Sequence, residues 1–198
     1  TWHSSLPVAL HSSTWCGDRA ISHLNNQNEN EPFCSWISFP DPHHPFDCPT
    51  PWSTMYNLDD VDLPGEGKKD LDNRPWWHKA SLESEPNLAD PQLKFFRAKL
   101  SRSVDQTEKQ LREMTANYFG MISLIDHNVG RIMLELKRLG LDKNTIIVYS
   151  TDHGDLLGDH GLYLKGPTPY EGLLRVGLIV NGPGIPNNQI IKDPVSTM

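Results

Sequence analysis

The most regular hydrophobic pattern in the chain lies between residues 111 and 139. Apolar side chains recur there at steps of three or four, which is the spacing of one face of an α-helix. The pattern stops before Gly140, and glycine is common just past a helix C-terminus. We therefore predict one long helix whose apolar stripe packs on a core. The stripe consists of Leu111, Met114, Tyr118, Met121, Ile125, Val129, Ile132, Leu136 and Leu139.

Two shorter helices are predicted before this long one. Residues 13 to 24 carry apolar side chains at roughly helical spacing, and Ser13 or Thr14 supplies a hydroxyl for the N-cap. A second short helix is predicted from Pro91, with the preceding aspartate as its cap, to about Leu100. We therefore predict three helices before Gly140.

Three apolar runs predict strands. The run FCSWISF at 33 to 39 alternates in polarity, and the β-branched run at 145 to 151 is continuous, which predicts a buried strand. A third run, VGLIV at 176 to 180, ends at a Gly-Pro-Gly triplet. Because helices and strands alternate, the sequence predicts an α/β fold with a sheet flanked by helices on both faces.

Residues 51 to 90 form an irregular excursion between these elements. This stretch is rich in proline and tryptophan and includes the charged tract DDVDLPGEGKKDLDNR. Long connections without regular structure are often functional lids or binding loops. An inserted surface segment is an equally good interpretation, and the sequence leaves both open.

Composition and charge exclude several classes of function. The net charge is −7 and no long basic run is present, so the chain lacks the basic face of a nucleic-acid-binding protein. No apolar run approaches the roughly 20 residues of a membrane span, and no signal peptide is visible. The three cysteines, Cys16, Cys34 and Cys48, form no C-x-x-C pair, and we expect small buried thiols. Cytoplasmic and periplasmic locations both stay open, as does oligomeric state, with a homo-oligomer as one alternative.

The strongest candidate for chemistry is the segment TIIVYSTDHGDLLGDHGLYLK at 145 to 165. Its predicted strand ends at Asp152 and His153, and ligands of α/β sheets bind beyond the carboxyl ends of strands. This pair offers an oxygen and a nitrogen ligand to a divalent cation, and Lys165 follows a glycine-punctuated loop that can fold back beside it. Taken alone, the pair is also compatible with an ordinary turn and the lysine with a solvated surface charge.

A second candidate is the loop FPDPHHPF, which contains His43 and His44. Its prolines restrict the backbone and reduce the entropy lost in holding an imidazole in place. His43 is the better candidate for an acid or anion donor, because imidazole titrates near neutral pH. For His44 we favour an exposed loop position or a supporting role behind the reacting groups.

Four segments of the chain together resemble the sulfatase family, within the alkaline-phosphatase-like superfamily. They are LHSSTWCGDRAISHL, PFCSWISFPDPHHPFDCP, YFGMISLIDHNVGRIMLELKRLGL and STDHGDLLGDHGLYLKGPTPYEGLLRVGLIVNGPG, and they occur in the order found in that family. The resemblance covers most of residues 7 to 52 and 104 to 198. It implies an alkaline-phosphatase-like sheet and a single sulfatase-type catalytic domain spanning residues 1 to 198, incomplete at both ends.

The resemblance also implies roles for individual residues. Asp152 and His153 correspond to two ligands of the catalytic cation, and Lys165 to the lysine that contacts the anionic group and bridging oxygen of the ester. His43 corresponds to the loop histidine that helps the leaving group depart. His160 is a further candidate beside the site, although we favour a structural role in its glycine-rich turn.

The cation and the substrate each have two alternatives. Many family members have Asn after the aspartate, whereas His153 is shared with phosphonate monoester hydrolases and some sulfatases. Calcium is the first expectation for the cation, and manganese competes with it because imidazole tolerates transition ions better than an all-oxygen site would. Sulfate esters are the expected substrates, with phosphonate monoesters or phosphodiesters as the alternative.

The family nucleophile is a formylglycine made within a C/S-x-P/A-x-R motif, and no cysteine of this chain lies in one. We therefore expect an internal piece of a metal-dependent sulfuric ester hydrolase that is inactive by itself. The hypothesis from another class is a non-catalytic remnant or binding fragment that keeps the fold.

Overall fold

The computed structural model describes residues 4, 6–28, 30–65, 68–79, 82, 88–99, 106–166 and 168–196. Short 3₁₀ turns connect the regular elements within these ranges. The helices and strands are α1 (Ser12–Asn25), α2 (Pro91–Lys99), α3 (Glu108–Arg138), β1 (Ile147–Ser150), α4 (Glu171–Leu174) and β2 (Leu178–Asn181).

The long predicted helix is α3, and both of its ends have a local cause. The Thr107 side chain accepts a hydrogen bond from the backbone N–H of Gln110, and the Gln110 side chain accepts one from the backbone N–H of Thr107. This reciprocal capping satisfies two N–H groups that a helix start leaves unpaired. At the other end Gly140 adopts a left-handed conformation with φ of 71°. The prediction of this helix is confirmed, with its start three residues earlier than the apolar stripe.

Helix α1 packs against the C-terminal half of α3. Ala20 and Leu24 form a buried cluster with Ile132 and Leu136 of α3. The α1 prediction is confirmed, but its N-cap is His11, whose Nδ1 atom lies 3.4 Å from the backbone N–H of Ser13. The predicted hydroxyl caps are wrong because both hydroxyl residues lie inside the helix.

The strands β1 and β2 pair antiparallel, from Ile147 opposite Asn181 to Ser150 opposite Leu178. The expected buried strand is wrong, since β1 is mostly exposed and β2 is exposed throughout. In the described ranges these two strands form the only sheet, and helices do not cover both of its faces. Of β1, Ile147 packs against the cluster between α1 and α3.

The predicted strand at 33 to 39 is also wrong. Phe33 and Phe39 pack against the cluster between α1 and α3, but the residues between them are exposed, with Trp36 at 94%. A strand requires hydrogen bonds to a neighbouring strand. No described segment pairs with residues 33 to 39, so they are extended without belonging to a sheet.

The excursion at 51 to 90 is a series of 3₁₀ turns where the structure describes it. Val61 and Leu71 are buried, and Leu71 packs with three leucines from residues 156 to 173. The Arg112 guanidinium of α3 donates to the carbonyl groups of Leu58 and Val61. Parts of this segment therefore belong to the core. No helix in the described ranges combines the length and the apolar character needed to cross a bilayer.

Candidate active site

The residues between β1 and α4 fold back on themselves in a tight loop, here called the return loop (residues 154–164). The backbone N–H of Leu156 donates to the Leu164 carbonyl at 2.9 Å, and that of Gly158 donates to the Leu162 carbonyl at 2.8 Å. Gly158 has a φ of 100°, which a residue with a Cβ adopts only under strain. The loop therefore begins next to His153 and ends next to Lys165.

The buried side of the return loop is apolar. Leu156 and Leu162 pack with Leu71 of the excursion and Leu173 of α4. At the base of the loop Gly154 lies against α4, because a Cβ there would be 1.9 Å from the Gly172 carbonyl oxygen. This packing holds the two ends of the loop close together.

Three functional groups meet where the ends converge. The Lys165 Nζ atom lies 3.3 Å from the His153 Nε2 atom, which lies 3.5 Å from the Asp152 Oδ2 atom. The Asp152 side chain is 83% exposed and that of His153 is 39% exposed. The structure thus brings together the carboxylate, imidazole and ammonium selected from the sequence, on an open surface.

Hydrogen bonding fixes which nitrogen of His153 faces the other groups. Its Nδ1 atom lies 2.7 Å from the Gly154 carbonyl oxygen, which can only accept, so Nδ1 carries the proton. In the neutral ring the lone pair is then on Nε2, beside the Asp152 carboxylate. Two electron-rich groups at 3.5 Å repel each other unless a cation lies beside them, and the Lys165 ammonium lies 3.3 Å from the Nε2 atom.

The local environment favours the charged form of Asp152. The pKa of Asp152 is lowered. Partial loss of hydration is the largest single contribution and would raise this pKa, but the hydrogen bond from the His153 backbone N–H and the His153 imidazole together outweigh it. The carboxylate is therefore ionised at neutral pH. An ionised carboxylate is a ligand for calcium or manganese, and an imidazole with a free Nε2 lone pair is a ligand that transition ions such as manganese accept more readily than calcium.

The second candidate segment is a loop, here called the histidine arch (residues 40–46). His43 and His44 are both exposed, and their rings stack at 4.1 Å. The His43 Nδ1 atom donates to the His44 carbonyl at 2.7 Å, so its Nε2 atom is the one available to a substrate. Partial loss of hydration, followed by the charges of His43 and Lys165, lowers the pKa of His44.

His160 lies in a cluster that joins the return loop to the excursion. Its ring stacks on Tyr170 at 3.9 Å, and its Nε2 atom lies 3.7 Å from the Asp159 carboxylate. The Tyr170 hydroxyl is 2.7 Å from the Nδ1 atom of the buried His78. These packing contacts agree with a structural role for His160.

Sequence reasoning missed two carboxylates near the candidate residues. Burial raises the pKa of Asp155, although the charges of Lys165 and His153 oppose the shift. The Asp41 side chain is buried at the N-terminal end of the histidine arch. The only signal in the sequence was proximity to a candidate histidine. Asp155 lies two residues after His153, and Asp41 lies two residues before His43.

The donors at the base of the return loop fit part of a metal centre. Asp152 and His153 supply one oxygen and one nitrogen ligand, and in the described ranges no three potential ligands form a group that would hold a metal by themselves. A cation bound here therefore takes its further ligands from water, from a substrate or from other segments of the protein.

Comparison with known proteins gives a consistent result. The family model described as Sulfatase matches residues 10–198. An arylsulfatase of Clostridium perfringens is 34% identical over 177 residues, which cover 88% of this chain and 33% of that protein. A choline-sulfatase of Rhizobium meliloti is 31% identical over 168 residues, which cover 83% of this chain and 29% of that protein.

Among solved structures, the phosphonate monoester hydrolase of Agrobacterium radiobacter superposes with a TM-score of 0.76. Its sequence identity is 25%, and the match covers 92% of this chain and 35% of that one. The chain spans about a third of the length of the curated relatives it matches. Its elements are therefore part of an alkaline-phosphatase-like fold.

Proposed function

The chain belongs to the sulfatase family, and from that premise we propose that the protein hydrolyses sulfate esters with the help of a divalent cation. The observation that carries the proposal is the convergence of three groups: the His153 Nε2 atom lies 3.3 Å from the Lys165 Nζ atom and 3.5 Å from the Asp152 Oδ2 atom. These groups recognise an anionic ester and the cation that neutralises it. The acidic chain therefore binds an anionic substrate through local charges rather than through its overall field.

In this proposal Asp152 and His153 hold the cation, with calcium expected first and manganese second. When bound, a divalent cation stabilises negative charge on the nonbridging oxygens of the ester. The Asp152 carboxylate supplies the charge that the cation requires. The His153 Nε2 atom supplies a neutral donor whose direction is fixed by the hydrogen bond from Nδ1 to the Gly154 carbonyl.

Lys165 and His43 act on the oxygens of the ester. The Lys165 ammonium binds the anionic group and the bridging oxygen, where charge develops as the bond breaks. When protonated, His43 donates the proton on Nε2 to the leaving oxygen, while its Nδ1 atom stays bonded to the His44 carbonyl. We place the nucleophile, expected to be a formylglycine, in another segment of the protein.

Phosphonate monoester hydrolysis is the second candidate function. The specific observation in its favour is the superposition on a phosphonate monoester hydrolase, together with an imidazole at the second ligand position. A sulfate and a phosphonate monoester present similar tetrahedral anions to the same three groups. The same residues therefore serve both functions, and the ratio of the hydrolysis rates on the two esters distinguishes them.

A rate comparison in the full-length protein tests the proposal. We expect calcium-loaded or manganese-loaded protein to hydrolyse 4-nitrophenyl sulfate faster than it hydrolyses a monoester of phenylphosphonate. A preference of about a hundredfold for the phosphonate, or roughly 2.7 kcal/mol in transition-state stabilisation, would reverse the order of the two functions. Absence of turnover on both esters, with metal bound, would identify a non-catalytic protein.

A further inference from the structure

The histidine arch is exposed, but buried side chains hold it at both ends. On its C-terminal side Phe46 and Cys48 are 1% and 0% exposed and pack with Met114 and Met121 of α3. On its N-terminal side the buried side chain is a carboxylate, that of Asp41, which is 8% exposed. A buried carboxylate is unusual and requires specific partners.

The partners of Asp41 lie at the N-terminus of α1. The fully buried Ser13 hydroxyl donates a hydrogen bond to the Asp41 Oδ2 atom. The same oxygen lies 3.4 Å from the Nδ1 atom of His11, the N-cap residue of the helix. Asp41 is 28 positions from Ser13 in the sequence, so this contact joins two separate segments of the fold.

Asp41 is also part of the turn that presents His43. The backbone N–H of His43 donates to the Pro40 carbonyl at 3.2 Å, which closes a four-residue turn with Asp41 inside it. The ring of His43 is then fixed by its own bond from Nδ1 to the His44 carbonyl. A continuous series of contacts therefore runs from α1 through Asp41 to the Nε2 atom of His43.

We propose that Asp41 is a positioning residue for His43, and that it acts by holding the arch on the N-terminus of α1 through Ser13. This inference rests on the proposed function, in which His43 gives a proton to the leaving oxygen. Asp41 itself does not contact the substrate. Its removal leaves Asp152, His153 and Lys165 in place but allows the imidazole of His43 to move.

Burial explains why the anchor depends on its partners. Loss of hydration raises the pKa of Asp41, whereas the hydrogen bond from Ser13 and the neighbouring His11 lower it. A buried carboxylate that loses a hydrogen-bond donor is left poorly solvated. Ser13→Ala is therefore expected to weaken the contact between Asp41 and α1 from the α1 side, without altering the sequence of the arch.

The test exploits the dependence of general-acid catalysis on the leaving group. A poor leaving group such as an alkyl alcohol needs protonation, whereas 4-nitrophenolate departs without it. We expect Asp41→Ala in the full-length protein to slow hydrolysis of an alkyl sulfate at least about tenfold more than that of 4-nitrophenyl sulfate, since general-acid groups contribute about 10²- to 10⁴-fold. Ser13→Ala should shift the same ratio in the same direction by less, with bound metal unchanged. The control is Asp142→Ala, at an exposed aspartate in the turn before β1, which should leave the ratio unchanged.

A second measurement does not depend on turnover. Nitrogen-15 spectra should show the neutral His43 ring as a single tautomer with its proton on Nδ1 in the wild-type protein, and as a tautomer mixture in Ser13→Ala and Asp41→Ala. Equal slowing of both esters in Ser13→Ala together with an unchanged His43 spectrum would overturn the positioning role, even if Asp41→Ala fails to fold. A wild-type protein that hydrolyses neither sulfate nor phosphonate esters would instead reject the proposed function, and the spectra would then decide the structural part of the inference alone.

Discussion

The return loop and the histidine arch orient their histidines in the same way but support them differently. In both, the ring Nδ1 atom lies 2.7 Å from the carbonyl oxygen of the next residue, so Nε2 is the outward-facing nitrogen. The return loop is closed by its own backbone hydrogen bonds, and its leucines pack with Leu71 of the excursion and Leu173 of α4. The arch is held by contacts to α1 and α3, which lie far from it in sequence.

This difference separates the two tasks of the proposed site. Local hydrogen bonds fix the spacing between His153 and Lys165, so the groups that we propose for binding the cation and the anion are held as one unit. The position of His43 depends instead on the packing of two helices. We therefore expect substitutions in the return loop to affect all substrates, and substitutions under the arch to affect substrates according to their leaving group.

The largest expected effect comes from Asp152→Asn in the full-length protein. The substitution keeps the shape of the side chain but removes the negative charge that a divalent cation requires. We expect bound metal and turnover to fall together, turnover by at least about a hundredfold. Metal analysis and kinetics on the same preparation check this. Asp142→Asn, an exposed aspartate in the turn before β1, is the control and should change neither quantity. Unchanged activity in Asp152→Asn would remove this residue from the site.

Lys165→Ala is expected to have the next largest effect. In the proposed site the ammonium stabilises charge on the ester and does not ligate the metal, so turnover should fall by about 10²- to 10³-fold with metal content unchanged. Lys143→Ala, which removes an exposed lysine from the turn after α3, is the matched control. Loss of metal in Lys165→Ala would show that the lysine supports the cation site rather than the ester.

Two glycines of α3 test the support of the arch with one chemical change. A Cβ at Gly120 would lie 2.4 Å from the Trp52 carbonyl oxygen and 2.9 Å from the Cys48 sulfur, whereas a Cβ at Gly130 meets nothing within 4 Å. Gly120→Ala should lower the free energy of unfolding by about 1–3 kcal/mol through overpacking. Gly130→Ala should raise it by up to about 1 kcal/mol, because alanine favours the helix.

Urea denaturation of the two variants provides this comparison. Because Gly120 contacts the segment that follows the arch, Gly120→Ala should also move the alkyl-to-aryl rate ratio in the direction expected for Asp41→Ala. An unchanged ratio in a folded Gly120→Ala protein would mean that α3 does not support the arch.

The sequence predicts best what local patterns encode. The spacing of the apolar stripe gave α3, and the Asp-His-Gly turn with a glycine-punctuated loop gave the approach of Lys165 to His153. The exposure of β1 and the lack of strand pairing at 33 to 39 could not be predicted in this way. Both depend on which other segments pair with or cover these residues, and apolar content alone does not contain that information.

Asp41 shows the same limit within the candidate site. An aspartate before a proline is ordinary turn chemistry, and its local sequence suggests an exposed position. Its burial depends on Ser13, which lies 28 residues away on another element. The His11 cap was missed for a related reason, because serine and threonine are preferred at helix N-termini and stand directly after it.

The smallest expected effect concerns two thiols on either side of the arch. The sequence predicted that all the cysteines are buried, yet Cys34 is exposed and Cys48 is fully buried. Burial, followed by the charges of Asp41 and Asp47, raises the pKa of Cys48 to about 12. At pH 8 only about 10⁻⁴ of such a thiol is ionised, and the thiolate is the reactive form. Iodoacetamide should therefore label Cys34 in the native protein and Cys48 only after unfolding, with peptide mass spectrometry as the measurement. Equal native labelling of both thiols would mean that the C-terminal end of the arch opens readily in the native protein. The arch would then differ from the return loop in rigidity as well as in the contacts that support it.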